Sequence, residues 1–141
     1  MMNARVNAFC VFKDVANNLY EKIDKAKPIK TFDEIIAFTV NSSLACELGL
    51  KAIIAEKYKY PKTHNLSKLF DMLSDWIKEH IKNKMPTLID KSPESPEFKE
   101  YIDKVSDNFI KWRYYYEDDI ETNWLFLHEF MNAIGSYFEE Y

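Results

Sequence analysis

The sequence predicts an all-α fold, an up-and-down bundle of about five helices, and three observations carry that expectation. Apolar residues recur at three-to-four spacing along most of the chain. Only two glycines, Gly49 and Gly135, stand against five prolines, too few for the turns of a sandwich or a dinucleotide-binding sheet. The 141 residues are 47% apolar, which suits one domain over 1–141 with a sizeable core.

The first helix is expected over 4–26, on the stripe Val6, Phe9, Cys10, Val15, Ala16, Leu19, Tyr20 and Ile23, with Pro28 ending it. The second, over 32–58, opens with TFDE, where Thr31 and Glu34 read as a capping box. It runs apolar through Ile35, Phe38, Leu44, Leu48 and Ile53 and stops short of Pro61. Asn65 or Thr63 is the expected cap of the third, over 65–83, whose stripe is Leu66, Leu69, Phe70, Leu73, Trp76, Ile77 and Ile81. KNKMPTLIDKSPESP then reads as a loop. Ser95-Pro96 starts a fourth helix over 96–117, and the acidic turn EDDIET leads to a fifth over 122–139. Short connections make neighbouring helices antiparallel.

Charge and cysteine content narrow the function classes. A formal net charge of -4 gives no global pull toward nucleic acid, so any such contact needs a local patch. Cys10 and Cys46 are too few and too far apart for a disulfide framework, and read as reduced thiols of a cytoplasmic protein. MMNARVNAFC has no long apolar signal region, and LACELGLKAIIA carries Glu47 and Lys51, so no membrane span is expected. His64, His80 and His128 show no HxxxH or HExxH spacing. There is no glycine-rich phosphate loop, and Ser42-Ser43 lies inside a helix without a nucleophile elbow. No cofactor or metal is expected.

Three stretches hold the candidate site. Glu47 and Lys51 stand one turn apart on the most apolar helix, either as a solvated surface pair or with one of them facing inward to meet Arg113. In YPKTHNLSKLF, Thr63, His64 and Asn65 are placed to cap a helix, and His64 is alternatively a general acid/base or anion contact. In DNFIKWRYYYEDD, Arg113 sits among Trp112, Tyr114 and Tyr116 ahead of Glu117. It reads as an anchor to Glu47 or Glu117 or as a phosphate contact, and the aromatics as core or as base-stacking platforms.

Taken in order, ACELGLKAII, YPKTHNLSKLF and FIKWRYYYE resemble the HEPN domain, the helical domain of many prokaryotic defence and toxin–antitoxin proteins. Glu47, Leu48, Lys51, His64, Leu66, Leu69, Arg113, Tyr114, Tyr116 and Glu117 carry the resemblance. It implies a bundle of four to five helices, frequent homodimers, and RNA or nucleotides as the usual ligand class. The family's nucleases place a histidine four to six residues after the arginine. Here Tyr114 to Ile120 hold none, and three acids follow instead. The RYxYE form resembles the non-nuclease branch, so the resemblance implies no catalytic residue.

The expectation is therefore a non-catalytic HEPN-type module that binds a cognate protein, a nucleic acid or a nucleotide. Two alternatives stand beside it: a divergent metal-independent ribonuclease using Arg113 with His64, and an immunity protein that neutralises a toxin.

Overall fold

In the computed structural model, which describes residues 3–106 and 124–141, the chain is all-α. Six α-helices stand among the described residues, with no strand. They are α1 Ala4–Glu21, α2 Phe32–Ile54, α3 Leu66–Asp71, α4 Asp75–Asn83, α5 Pro96–Val105 and α6 Trp124–Glu140. A short 3-10 turn, Pro28–Thr31, precedes α2.

α2 is the central element, packed against α1, α3 and α6. Its length and apolarity would suffice to cross a bilayer, yet 67% of that window is buried inside the bundle. Such a helix is apolar all round because neighbours cover it on several sides. Gly49 sets the closeness of the packing: a Cβ there would meet Ile134 Cγ2 at 2.7 Å and Phe9 Cδ1 at 2.8 Å. Absence of a side chain thus lets α1 and α6 close on α2. An amide pair ties α1 to α6, with Asn17 Nδ2 donating to Asn132 Oδ1 at 3.0 Å and Asn132 Nδ2 to Asn17 Oδ1 at 3.2 Å. Beneath α5, Phe70, Phe98, Phe126 and Phe130 form an aromatic cluster, with the Phe70 and Phe98 centroids 4.6 Å apart.

Three expectations need correction. The third helix is two helices: α3 ends at Asp71 and α4 begins at Asp75. Met72 N and Leu73 N bond to the carbonyls three residues back, and Ser74 is extended, at φ -67 and ψ 155. The apolar stripe runs unbroken across the joint because Leu73 and Ile77 both stay buried, which hides the break from periodicity. Ser74-Asp75 is the start signal that marks it.

The capping box at Thr31 does not form. The Thr31 hydroxyl instead accepts from Asp24 N at 3.1 Å and donates to Pro28 O, closing the α1–α2 connection. The ends of α1 and α2 also fall short of 26 and 58. After α1, Asp24 Oδ1 takes the N–H groups of Ala26 and Lys27, so a side chain replaces the helical carbonyls ahead of Pro28. After α2, the chain turns at Ala55–Lys57. The start of α5 is as expected, with Ser95 Oγ accepting from Phe98 N at 3.1 Å and Pro96 in the first turn.

Candidate functional site

α2 delivers Glu47 and Lys51 to the same side of the helix, and both are buried, at 4% and 5% exposure. The reading as a solvated surface pair is thereby overturned. Lys51 Nζ donates to Glu47 Oε2 at 3.0 Å. From the segment between α2 and α3, His64 brings Nδ1 to the same oxygen at 2.8 Å. A carboxylate only accepts, so Nδ1 carries the proton of this bond, and the His64 side chain is half exposed. Glu47 Oε1 is buried with no hydrogen-bond partner among the described residues.

Two further residues complete the cluster. Lys51 Nζ stands 5.5 Å from the Tyr60 ring centroid, and the Arg5 guanidinium stands 4.6 Å from it. Tyr60 thereby links the start of α1 to the polar centre of α2 through cation–π attraction. Sequence reasoning missed both Arg5 and Tyr60. Tyr60 lies in an irregular segment without periodicity, and Arg5 reaches it across the fold, so only the pairing of an aromatic with Pro61 hinted at a fixed position.

The start of α3 is closed. Asn65 Oδ1 accepts from Lys68 N at 3.0 Å, and Thr63 Oγ1 from Asn65 N at 3.2 Å, as the cap reading expects. Ser106 takes the next two donors: its carbonyl accepts from Leu66 N and its hydroxyl from Ser67 N. That hydroxyl in turn donates to Ile102 O. The first N–H groups of this short helix are all in use, and none is left for a phosphate. His64 itself is not a cap; its bond is to Glu47.

Of the remaining expected site residues, Arg113, Tyr114, Tyr116 and Glu117 lie outside the described residues, as does Trp112. The structure unites Glu47, Lys51 and His64 and adds Arg5 and Tyr60.

A family model for the HEPN domain matches residues 18–134 of this chain. The chain belongs to the HEPN family. The match spans α2, the His64 segment and most of α6, so the Glu47–Lys51–His64 cluster sits inside the HEPN region. Comparison with curated proteins and with solved structures gives no match.

A second polar centre fastens the loop after α4 to α6. Glu129 on α6 accepts from Thr87 N at 3.0 Å and Thr87 Oγ1 at 2.6 Å, fixing the loop after α4. A cavity of about 210 Å³ opens beside it, lined by Met85, Leu88, Tyr101, Leu125 and Phe126. Lys82, also buried, donates to the carbonyls of Ser92 and Pro93 and pins the far side of the same loop. These bonds satisfy loop backbone.

Proposed function

We propose that this HEPN chain binds a macromolecular partner without cutting it, in the cytoplasm and in a toxin–antitoxin or defence setting. The observation that carries this reading is the pairing of Lys51 and His64 with one oxygen of Glu47. Glu47 Oε2 takes both the Lys51 ammonium and the His64 ring N–H, so the Lys51 charge is already compensated. A metal-independent ribonuclease needs a proton-transfer group together with a cation or N–H donors held ready for the scissile phosphate. The α3 donors are consumed by Asn65 and Ser106. The sequence after Arg113 supplies tyrosines and acids where the nuclease motif has its histidine. A homodimer, frequent in the family, fits the same role.

One observation favours the ribonuclease alternative: Glu47 orients His64 through Nδ1 while the side chain stays half exposed, an arrangement that suits a general base. Cleavage of mixed RNA by the purified chain, with His64→Ala and Arg113→Ala beside it, separates the two readings. Intact RNA in every lane is the expected result. Cutting by the parent and by neither variant replaces the binding reading with the ribonuclease.

A further inference from the structure

Glu129 is a buried carboxylate without a counter-charge. It stands on α6 at 9% exposure, and both of its oxygens take neutral donors, Thr87 N on Oε1 and the Thr87 hydroxyl on Oε2. Among the described residues no lysine, arginine or histidine forms an ion pair with it. Lys82, the buried cation of the same loop, donates instead to the carbonyls of Ser92 and Pro93. His128, its neighbour in sequence, is biased toward the neutral form by burial, and Lys25 adds to that bias. Buried charges are ordinarily paired, so a lone carboxylate beside a cavity calls for a cation from outside the fold.

The cavity narrows what that cation is. About 210 Å³ of space adjoins Glu129 and Thr87. An apolar cavity of roughly 150 Å³ holds one benzene ring, and pockets for drug-sized molecules begin at roughly 300 Å³. One ring with a short side chain therefore fits. The walls are Met85, Leu88 and Leu125 together with Tyr101 and Phe126, whose rings stack at 5.6 Å and 25°. A metal ion matches this lining poorly. Hard cations need several oxygen ligands, and no group of three His, Cys, Asp or Glu residues gathers among the described residues. An ammonium asks for less: Thr87 takes one lone pair on each Glu129 oxygen, and each oxygen can accept one further N–H. The aromatic faces attract the same charge.

We propose that this cavity is a binding site for a small aromatic amine in its protonated form. The ammonium donates to Glu129, and the ring lies among Leu88, Leu125 and the Tyr101–Phe126 pair. A neutral analogue leaves the carboxylate uncompensated, and an anion is repelled by it at close range. A lysine side chain from another protein carries the charge but leaves the aromatic walls uncovered. The site shares no residue with the Glu47–Lys51–His64 cluster, so it stands whether or not the chain cuts RNA.

Saturation-transfer NMR and calorimetric titration of the full chain at pH 7 test it, with phenethylamine as the probe beside phenylethanol, phenylpropanoate and butylamine. A Kd of about 0.1–1 mM is expected for phenethylamine, in keeping with so small a ligand. Phenylethanol and butylamine should bind at least about tenfold more weakly, and phenylpropanoate not at all. Glu129→Gln can keep both Thr87 contacts, its carbonyl accepting from Thr87 N and its amide donating to Thr87 Oγ1. In that variant phenethylamine should fall to the level of phenylethanol. Leu125 is 41% exposed, so Leu125→Trp builds into the cavity from the surface and should weaken phenethylamine and phenylethanol together.

Equal affinity of the parent for phenethylamine and phenylethanol overturns the proposal, as does an amine affinity unchanged in Glu129→Gln or in Leu125→Trp. Butylamine bound as tightly as phenethylamine makes a lysine side chain of a protein the better occupant and overturns it too. No binding to the parent below about 10 mM removes this ligand class altogether. If Glu129→Gln fails to fold, the parent's preference for the amine over the alcohol of the same shape still decides.

Discussion

His64 and Glu47, seventeen residues apart in sequence, meet at 2.8 Å through Nδ1 and Oε2, on the oxygen that also accepts from Lys51. One buried carboxylate oxygen therefore fixes the segment between α2 and α3 to the central helix. The two donors differ in exposure, Lys51 being buried and His64 half exposed. Removing the carboxylate and removing the imidazole should then differ in cost. Glu47→Ala strands a buried ammonium and should destabilise by about 3 kcal/mol or more. His64→Ala loses one partly solvated hydrogen bond and should cost about 1 kcal/mol. Urea melts of the two variants check the order, and equal losses would mean that Lys51 finds water once Glu47 is gone.

Glu47 Oε1 has no partner among the described residues, and Arg113 is the residue the sequence offers for it. If the two pair, Arg113→Ala should cost about 3 kcal/mol in the parent and much less in a Glu47→Ala background. A double-mutant cycle with no coupling, or a melt of Arg113→Ala unchanged from the parent, would assign Arg113 to another role.

The two glycines should respond oppositely to alanine. At Gly49 a methyl group collides with Phe9 and Ile134 in the core, so Gly49→Ala should cost about 1–3 kcal/mol despite alanine's better helix propensity. At Gly135 the nearest atom is Lys13 Cδ at 3.3 Å, on a flexible side chain. Gly135→Ala should gain up to about 1 kcal/mol. Thermal melts decide, and a stable Gly49→Ala variant would contradict the close packing of α2.

His128 gives the fold an acid-sensitive point. It stacks on Tyr20 at 3.7 Å between ring centroids. Burial, with Lys25 nearby, holds its pKa below the ordinary 6.5. A histidine kept neutral in the fold binds its proton more readily in the unfolded chain. Its contribution is therefore complete above pH 6.5 and is lost as pH falls below that value. His128→Phe keeps the stack without the titration, so the difference in Tm between pH 8 and pH 5 should shrink in that variant. An equal drop in both proteins would remove His128 as the cause.

Much of the fold was legible because helical periodicity, Ser95-Pro96 and the Asn65 cap are local signals. The break at Met72–Ser74 was not, since the burial of Leu73 and Ile77 continues the stripe across it. Thr31 misled because its hydroxyl has a closer donor in Asp24 N, a contact across a turn that spacing cannot show. For the site, Glu47, Lys51 and His64 were each readable, but not that the three share one oxygen. Whether the Glu–Lys pair faces in or out depends on what covers α2, and Arg5 reaches Tyr60 only through the folding of α1 against α2. Such long-range pairings leave no spacing to read.

The central claim is that the Glu47–Lys51–His64 cluster holds the fold and does not perform catalysis. Its most direct measurement is a single-turnover assay with excess purified protein, labelled mixed RNA and no added metal, from pH 6 to pH 8.5. The parent and His64→Ala are run in parallel, and a melt of the same His64→Ala sample is recorded. The predicted result is uncut RNA with both proteins at every pH, together with a lowered Tm for His64→Ala. RNA cut by the parent and left whole by a fully folded His64→Ala would contradict the claim and make His64 a catalytic residue.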